Sequence, residues 1–186
     1  MNCKEITDKM SKILKQEPDN LNVKAAVVVL LKVNKEGFQV LLVKRAENPN
    51  DVWSGQIAFP GGKRDVADID IKSTVIRETL EETGINLLLG CRFLGTMESL
   101  RSVEKPEMKI VPFVVLQENE QTIKLNEELA KYFWVSLKDL DKHKKTVNLS
   151  QGELPTYIAN KNFIWGLTYN ILHNLLTLLN RIREKE

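Results

Sequence analysis

Cysteine, aromatic side chains and long apolar runs are all scarce in this chain of 186 residues. The two cysteines, Cys3 and Cys91, stand far apart without metal-ligand spacing. Two free thiols in a reducing cytoplasm are therefore expected, with one disulfide as the alternative. The longest aliphatic run is seven residues, 25–31, whereas a helix needs about 20 residues to cross a bilayer. The charged N-terminus is not typical of a secretory signal, so the sequence predicts no membrane association.

An excess of charge of one sign is also absent. Lysine and arginine number 27 against 25 aspartates and glutamates, which leaves a net charge of +2. The signs are mixed along the chain without a basic stripe, so no nucleic-acid partner is expected. Apolar residues at 42% and charged residues at 28% exclude a collagen-like or wholly disordered chain. The length favours a single domain.

Hydrophobic patterning predicts an α/β protein with a mixed sheet and helices on both faces. The apolar segments 23–33 and 38–43 flank turn residues and predict an antiparallel hairpin. Residues 1–22 are interpreted as a helix and connector packed on one domain, 23–186. Further strands are expected at a short segment ending at Phe59 and at residues 92–97, 109–116 and 133–135, and helices over residues 4–15, 71–83 and 163–182.

The predicted helix over residues 71–83 ends at Gly84, a residue typical of a left-handed helix C-terminus. At about 100° per residue, three carboxylates fall within an arc of about 100°. Ile76 and Leu80 lie on the opposite side and are expected to face the core. The three acidic residues of the arc are Glu78, Glu81 and Glu82.

Such an acidic face is unfavourable on its own, because like charges one helical turn apart repel each other. A divalent cation would offset the repulsion, and Mg²⁺ binds carboxylate oxygens, water and substrate phosphates. Glu78 and Glu82 are the first choice as direct ligands, and Glu81 is expected to join a second ion or orient a water. The alternative is an ordinary solvated surface, since glutamate is a good helix former.

A glycine-rich segment upstream favours the cation-binding interpretation. Residues 59–62, with the sequence Phe-Pro-Gly-Gly, predict a tight turn whose glycines let the backbone approach a ligand closely. Lys63 and Arg64 follow directly and are candidates to contact phosphate oxygens, which both cations favour. A solvated surface position is the alternative for these two side chains.

Gly62 and residues 77–85 resemble the Nudix box, in which a glycine precedes a glutamate and then the pattern Arg-Glu-apolar-any-Glu-Glu-any-Gly-apolar. Residues 77–85 match that second half, with Thr79 at its first apolar position. Gly62 lies fifteen residues before Arg77, one more than the pattern has, and no glutamate stands between them. Asp68 is the expected substitute for that glutamate.

An upstream pattern narrows the resemblance to one group within the Nudix hydrolases. Residues 41–46 and 55–62 are similar to the signature of the coenzyme A pyrophosphatase type, and residues 163–168 resemble the same group. The likeness extends over roughly residues 23–176. It departs in the stretch 47–54, which is one residue longer than the signature and lacks its arginine.

The resemblance implies hydrolysis of a pyrophosphate bond in a nucleoside diphosphate linked to another group, with Mg²⁺ or Mn²⁺ as cofactor. Coenzyme A or an acyl-coenzyme A would give 3′,5′-ADP and 4′-phosphopantetheine or its acyl form. The resemblance assigns the metal ligands to Glu78, Glu81, Glu82 and the Gly61 carbonyl. Contacts to the substrate are assigned to Arg45, Gly61, Gly62, Lys63 and Arg64.

The resemblance also implies a general base that accepts a proton from the attacking water. That base is a glutamate of the box, Glu81 or Glu82, or a glutamate of a downstream loop. Glu128 is the first choice in the downstream segment, and Glu98 is the second; the remaining glutamates considered are Glu104, Glu107 and Glu127. Arg77 is expected to hold a box carboxylate in place rather than to touch the substrate.

Other functions stay open at this point. The same chemistry on ADP-ribose, a dinucleoside polyphosphate or a nucleoside triphosphate is one alternative. A non-catalytic nucleotide-binding module is another, and a structural protein with an acidic helix is a third. A homodimer is possible, with the apolar C-terminal helix either at the interface or packed on its own sheet. Three aromatic residues are candidates for base stacking or for the core, and His173 is read as structural; they are Trp53, Tyr157 and Trp165.

Overall fold

The computed structural model describes residues 1–16, 23–102, 105–149 and 152–184. In these residues four helices and eleven strands follow one another along the chain. The helices are α1 (Cys3–Ile13), α2 (Ile71–Thr83), α3 (Leu137–Lys142) and α4 (Gly166–Glu184). The strands are β1 (Val23–Asn34), β2 (Gly37–Arg45), β3 (Ile57–Ala58), β4 (Gly61–Lys63), β5 (Cys91–Thr96), β6 (Leu100–Arg101), β7 (Lys109–Gln117), β8 (Leu129–Ser136), β9 (Lys144–Leu149), β10 (Gly152–Ala159) and β11 (Asn162–Ile164).

The main sheet is mixed and centres on β1. Its principal order is β3-β2-β1-β7-β5, and β1 runs parallel to β7 but antiparallel to β2. Residues 31–34 of β1 pair with β2, whereas residues 25–27 pair with β4. The far end of β2 pairs with β3 at Val43 and Lys44, and the other edge of β2 pairs with β8 over residues 39–45. Strand β3 is thereby held beside the end of β2, where Arg45 lies, and the glycine strand β4 follows it along the chain and pairs with β1.

Alternate residues of β1 enter two different cores, because successive side chains of a strand point to opposite faces. Val28 and Leu30 belong to the cluster that α2 covers with Ile71 and Val75. Val29 and Leu31 belong to the other cluster, which includes four buried residues of the C-terminal helix, Leu172, Leu175, Leu176 and Leu179. Helices therefore cover both faces of a mixed sheet, and the predicted fold class is confirmed.

The N-terminal helix packs on the α4 side of the sheet. Ile6 and Met10 of α1 are buried in the same cluster as α4, and Lys15 forms a bridge with Thr96 at the end of β5. Most of the connector, residues 17–22, lies outside the described residues. The division into residues 1–22 and a single domain of 23–186 stays a prediction.

Several local predictions agree closely with the structure. The predicted hairpin is formed by β1 and β2 with Asn34 opposite Gly37, and α2 spans the predicted residues 71–83. The last helix begins at Gly166 rather than at residue 163, because Phe163 belongs to β11. The small sheet of β9, β10 and β11 and the short helix α3 were not predicted. Their sequences are largely polar and lack the alternation that identifies a strand with one buried face.

The C-terminal helix α4 packs on its own sheet. Its apolar residues are almost fully buried, including Ile171 and Leu172 at 1% and 0% exposure, so this stripe is used within the chain. Among the described helices, none is long and apolar enough to cross a membrane. Both Cys3 and Cys91 are free thiols.

Candidate active site

Helix α2 is capped at both ends by local side-chain and backbone chemistry. The Asp70 side chain accepts a hydrogen bond from the Ser73 N–H, and the Ser73 hydroxyl accepts one from the Asp70 N–H. This reciprocal arrangement satisfies backbone donors that a helix start leaves unpaired. At the other end, Gly84 adopts the left-handed conformation (φ 73°) that was predicted for it.

The buried face of α2 differs from the predicted one. Leu80, which was expected to face the core, is 45% exposed, whereas Glu82, which was expected on the opposite acidic face, is 4% exposed. Ile76 is partly buried against the α2 cluster. The buried positions are instead Ile71, Thr74, Val75, Thr79, Glu82 and Thr83. Sequence reasoning missed this face because three of its members are threonines, whose β-branched side chains pack like valine but count as polar.

The three glutamates of α2 therefore lie in three environments. Glu82 is buried, the side chain of Glu78 is 19% exposed at the edge of the buried face, and that of Glu81 is 55% exposed. The predicted division of α2 into an apolar core face and a separate acidic face is wrong at Leu80 and Glu82, whereas the assignment of the three carboxylates as cation ligands stays a prediction. Side chains that share an arc of about 100° can still range from buried to exposed, because the boundary of the buried face crosses that arc.

Thr79 places an unpaired hydroxyl in the core under α2. The residue is fully buried, and its Oγ1 has no hydrogen-bond partner among the described residues. We expect Thr79→Val to raise the free energy of unfolding by about 1 kcal/mol, because the desolvation cost of that hydroxyl disappears. Denaturant titration measures the change. The matched control is Thr83→Val, which removes a hydroxyl that donates to the Thr79 carbonyl at 2.6 Å and should lower stability. A destabilised Thr79→Val would contradict the assignment.

Strand β4 faces α2 with the backbone edge that is not paired with β1. It is an extended segment, whereas the sequence predicted a tight turn here. Val28 donates its N–H to the Pro60 carbonyl at 2.8 Å. Because bonded and non-bonded pairs alternate in an antiparallel ladder, the N–H and C=O groups of Gly61 and Lys63 point away from β1. The Gly61 N–H donates to Glu82 Oε2 at 2.8 Å.

Gly62 allows α2 to approach β4 this closely, and Gly61 allows β4 to pack against the backbone of β1. A Cβ at Gly62 would lie 2.5 Å from the Glu78 carboxylate, and a Cβ at Gly61 would lie 2.6 Å from Val27 Cα. Gly61 also has a φ of 139°, which residues other than glycine rarely adopt. The glycine pair thus brings a backbone edge to the carboxylates, as the sequence predicted.

Burial makes the two inner carboxylates easier to protonate. It raises the pKa of Glu82 to about 7, although the Gly61 N–H opposes this, and the negative charge of Glu78 raises it further. Burial also raises the pKa of Glu78, against the lowering effect of Arg77. Glu128 contributes to both increases, so its carboxylate lies close enough for its charge to act on both groups.

Arg77 connects the carboxylates of Glu78 and Glu81 to Asp68. Its Nη1 lies 3.0 Å from a carboxylate oxygen of Glu78 and 3.0 Å from one of Glu81, and its Nη2 donates to the Lys63 carbonyl at 3.2 Å. Its Nε and Nη2 donate to the two oxygens of Asp68, both at 3.0 Å. Asp68, the expected substitute for the missing glutamate of the box, is thus the bidentate partner of Arg77.

Asp68 is the buried anchor of this arrangement. It is 7% exposed, and its carboxylate also accepts hydrogen bonds from the Asp65 N–H at 2.8 Å and the Thr74 hydroxyl at 2.9 Å. The Arg77 guanidinium, together with these donors, holds the pKa of Asp68 far below its usual range.

We expect Asp68→Asn to lower the free energy of unfolding at neutral pH by about 1.5–3 kcal/mol, because it weakens the charge-assisted hydrogen bonds that the buried Asp68 carboxylate accepts from Arg77. A depressed carboxyl pKa contributes stability above the unfolded pKa of about 4 and loses it as the pH falls. The gap between wild type and variant should therefore narrow below about pH 4. Denaturant titrations across pH measure it. Asp65→Asn is the control, since the Asp65 side chain accepts only an exposed local bond from Ala67; an equal loss there would contradict the prediction.

Glu128 is brought to α2 by the segment that follows β7. The Asn126 N–H donates to the Glu82 carbonyl at 3.1 Å, and the Ala46 N–H donates to the Glu128 carbonyl at 2.8 Å. These bonds place Glu128 between the end of α2 and the end of β2. Its side chain is exposed. The sequence offered only its place before an apolar strand as a signal.

The other acidic candidates lie in different surroundings. Glu98 pairs with Lys15 at 3.1 Å and borders a groove that is also lined by residues of α4. Glu107 and Glu127 are exposed, and Glu104 lies outside the described residues.

The three cationic side chains predicted to contact the substrate lie in different surroundings. Arg45, the last residue of β2, donates from Nε to Asp51 at 2.6 Å. Lys63 is exposed at the end of β4. Arg64 donates from Nη2 to the carbonyls of Asp68 and Ile69, so one end of its guanidinium already closes the loop before α2.

Of the aromatic candidates, Tyr157 is a core residue. It is 1% exposed and stacks on Tyr169 with ring centroids 4.8 Å apart, while its hydroxyl lies 3.3 Å from His173 Nδ1. Trp53 is partly buried and packs with Ala25, Met108 and Ile110, and the Lys105 ammonium lies 4.9 Å from its ring centroid. Trp165 is partly buried.

The donor set at α2 and β4 fits a hard divalent cation, since it consists of carboxylate and carbonyl oxygens. Glu82 has one N–H partner for two carboxylate oxygens, and the Gly61 carbonyl lies on the outer edge of β4. Among the described residues, however, no three acidic, histidine or cysteine side chains already converge on one point. Arg77 holds Glu78 and Glu81, so cation binding has to compete with that guanidinium.

Comparison with known proteins agrees with this geometry. Residues 22–155 match the family model of the NUDIX domain. The chain is 29% identical to a Nudix hydrolase, NudL, of Yersinia enterocolitica, over 94% of this chain and 93% of that protein. An Ap4A hydrolase of Caenorhabditis elegans has a similar fold, with a TM-score of 0.54, 22% identity and coverage of 64% of this chain and 84% of that one. A MutT protein of Methanosarcina mazei gives a TM-score of 0.52 at 22% identity over 89% and 96% of the two chains.

A carboxylate-bearing helix packed on a glycine strand of a mixed sheet defines a class of hydrolases that cleave pyrophosphate bonds. The chain belongs to the Nudix family. It is a pyrophosphohydrolase of nucleoside-diphosphate-linked substrates, which are small nucleotide derivatives, and enzymes of this family generally use a divalent metal.

Proposed function

We propose that this enzyme hydrolyses the pyrophosphate bond of coenzyme A or an acyl-coenzyme A, with Mg²⁺ or Mn²⁺, to 3′,5′-ADP and (acyl-)4′-phosphopantetheine. The observation that carries the proposal is the contact between the buried Glu82 and the Gly61 N–H, since it joins α2 to the glycine strand of the subgroup signature. The same signature includes Arg45, whose positive charge acts on Glu82.

The cation ligands in this proposal are Glu78, Glu81, Glu82 and the Gly61 carbonyl. When bound, divalent cations neutralise the charge of a diphosphate and make a water more acidic. Arg77 keeps Glu78 and Glu81 together at a defined separation from β4 until they bind the cation. This arrangement suits phosphoryl transfer, which depends chiefly on charge stabilisation and in-line positioning.

The residues of the chain also supply proton transfer and substrate contacts in the proposal. Glu128 accepts the proton of the attacking water, because it lies near both inner carboxylates yet is exposed and free of a side-chain partner among the described residues. Arg45 and Lys63 contact the diphosphate, and Gly61 and Gly62, which lack side chains, let it approach the backbone of β4. Arg64 contributes charge at the same strand end.

A second substrate class is favoured by a specific observation. The loop between β2 and β3 has no arginine, whereas the subgroup signature has one at this place. The site therefore offers fewer cations to an additional phosphate than the subgroup signature does. ADP-ribose, dinucleoside polyphosphates and nucleoside triphosphates are the alternative substrates.

A hydrolysis screen in ¹⁸O-labelled water tests the proposal. Coenzyme A, acetyl-coenzyme A, dephospho-coenzyme A, ADP-ribose, Ap4A and ATP are each incubated with Mg²⁺ or Mn²⁺, and the products are identified by mass spectrometry. The expected result is 3′,5′-ADP from coenzyme A with the highest kcat/KM. A higher kcat/KM for another substrate would assign the activity to that substrate instead of coenzyme A. Binding of nucleotides without any turnover would support a non-catalytic module.

The remaining proposals concern location and assembly. We propose a cytoplasmic enzyme, on the basis of two free thiols. A homodimer stays a prediction; since the α4 stripe is buried within the chain, a dimer has to use another surface. Analytical ultracentrifugation gives the oligomeric state directly.

A further inference from the structure

The end of β2 carries an ion pair that is shielded from solvent. Arg45 Nε donates to Asp51 Oδ2 at 2.6 Å, and the two side chains are 23% and 16% exposed. Arg45 was identified from the sequence as a candidate substrate contact, whereas Asp51 was part of a stretch noted only for lacking an arginine. The contact therefore draws attention to Asp51, a residue that the sequence pattern did not indicate.

The loop fixes Asp51 independently of Arg45. The other carboxylate oxygen of Asp51 accepts the Trp53 N–H at 3.1 Å. Its own N–H donates to the Asn48 carbonyl, and its carbonyl accepts the Ser54 N–H, each at 3.0 Å. Arg45 closes the base of the loop by donating its N–H to the Gln56 carbonyl, also at 3.0 Å. The carboxylate is thus held on a self-bonded loop whose two ends are joined.

The rest of the Arg45 guanidinium is left without an acceptor. Among the described residues, only Asp51 accepts a side-chain hydrogen bond from Arg45, and it uses Nε alone. The terminal nitrogens, Nη1 and Nη2, carry four further N–H donors in a planar fork. Neither nitrogen is among the buried unpaired atoms of the described residues, so both are open to a ligand, and a fork of this kind matches the oxygens of a phosphate.

We propose that Asp51 is a positioning residue that clamps Arg45 Nε, so that the two terminal amino groups of Arg45 face a phosphate of the substrate. The inference rests on the proposed diphosphate hydrolysis and adds the residue that orients the cation. A clamped guanidinium loses less conformational entropy when it binds the phosphate, so a fixed Arg45 binds more tightly than a free one.

Asp51→Asn tests the clamp with little change in shape. Asparagine can still accept the Trp53 N–H but no longer carries the charge that holds Nε. We expect KM for the best substrate of the screen to rise about tenfold, as for the loss of one charge-assisted hydrogen bond, while kcat changes little. Calorimetric titration with ADP in the presence of a chelator should show a similar loss of affinity, because an arginine–phosphate contact needs no metal.

Arg45→Lys and the double variant separate positioning from a general effect of the loop. Lysine keeps a positive charge but lacks the fork, so Arg45→Lys should raise KM at least as much as Asp51→Asn. Because both changes remove the same contact, the double variant should be no weaker than Arg45→Lys alone. An unchanged KM in Asp51→Asn would overturn the proposal, as would a double variant in which the two effects multiply.

Two controls keep the test decisive. Thermal melting shows whether Asp51→Asn is folded; if it is not, Asp51→Glu is used, since it retains the charge but displaces it by one methylene and should also raise KM. Failure of the proposed function would be seen as wild-type protein that hydrolyses no diphosphate. Failure of the clamp would be seen as active wild-type protein whose KM is insensitive to Asp51.

Discussion

Glu82→Gln is expected to lower metal-dependent kcat by about a thousandfold, since a bound cation supplies several kcal/mol of transition-state stabilisation and each 1.36 kcal/mol is a factor of ten. The fold should be retained, because glutamine has the same shape and its amide oxygen can still accept the Gly61 N–H. Steady-state hydrolysis with saturating Mg²⁺ or Mn²⁺ measures the loss.

The stability of the same variant gives an independent check. Glutamine removes a carboxylate that burial disfavours in its charged form, so in the presence of a chelator Glu82→Gln should melt no lower than wild type. Glu81→Gln is the matched comparison one residue earlier, and the smaller loss of activity is expected there because that side chain is 55% exposed. Full turnover in purified Glu82→Gln would remove this residue from the proposed ligands.

Glu128→Gln is expected to lower kcat by about 10²–10⁴-fold, the usual contribution of a positioned general base. The structural reason is its place beside the end of α2, where it acts on both Glu78 and Glu82. The affinity for Mn²⁺, measured by calorimetry, should change far less than kcat, because Glu128 is proposed to accept a proton.

Glu127→Gln is the control for this experiment, since it is the adjacent exposed glutamate and carries the same change in charge. It should behave as wild type in turnover. Equal losses in the two variants would point to a general electrostatic effect, and an active Glu128→Gln would shift the assignment to a glutamate of the box.

Much of this architecture follows from local sequence signals. The β1–β2 hairpin and α2 were predictable because their turn residues, caps and apolar patterns all agree. The orientation of α2 was not predictable from hydrophobicity, since packing against the glycine strand selects a stripe of threonines and a buried glutamate over Leu80. Tertiary context, rather than helical periodicity, decided which carboxylate is buried.

The candidate site shows the same division between local and long-range information. Helical spacing pointed to the three glutamates and the resemblance to the Nudix box pointed to Asp68, although only the structure shows that Arg77 contacts Asp68, Glu78 and Glu81 together. Asp51 gave no usable signal, because an aspartate in a polar loop is ordinary until its partner is known. The small sheet of β9 to β11 was missed for want of a clear alternation.

The way β1 is divided between β2 and β4 has a practical consequence for engineering. Arg45 and Gln56 are joined at the base of the intervening loop, and the strands on either side are each fixed in the sheet. An exchange of residues 47–55 as a cassette therefore has to keep an aspartate at the position of Asp51, which holds Arg45, and to leave Ala46, whose N–H holds the Glu128 carbonyl. Grafting loops of other lengths onto this frame offers a route to new nucleotide selectivity from a single scaffold.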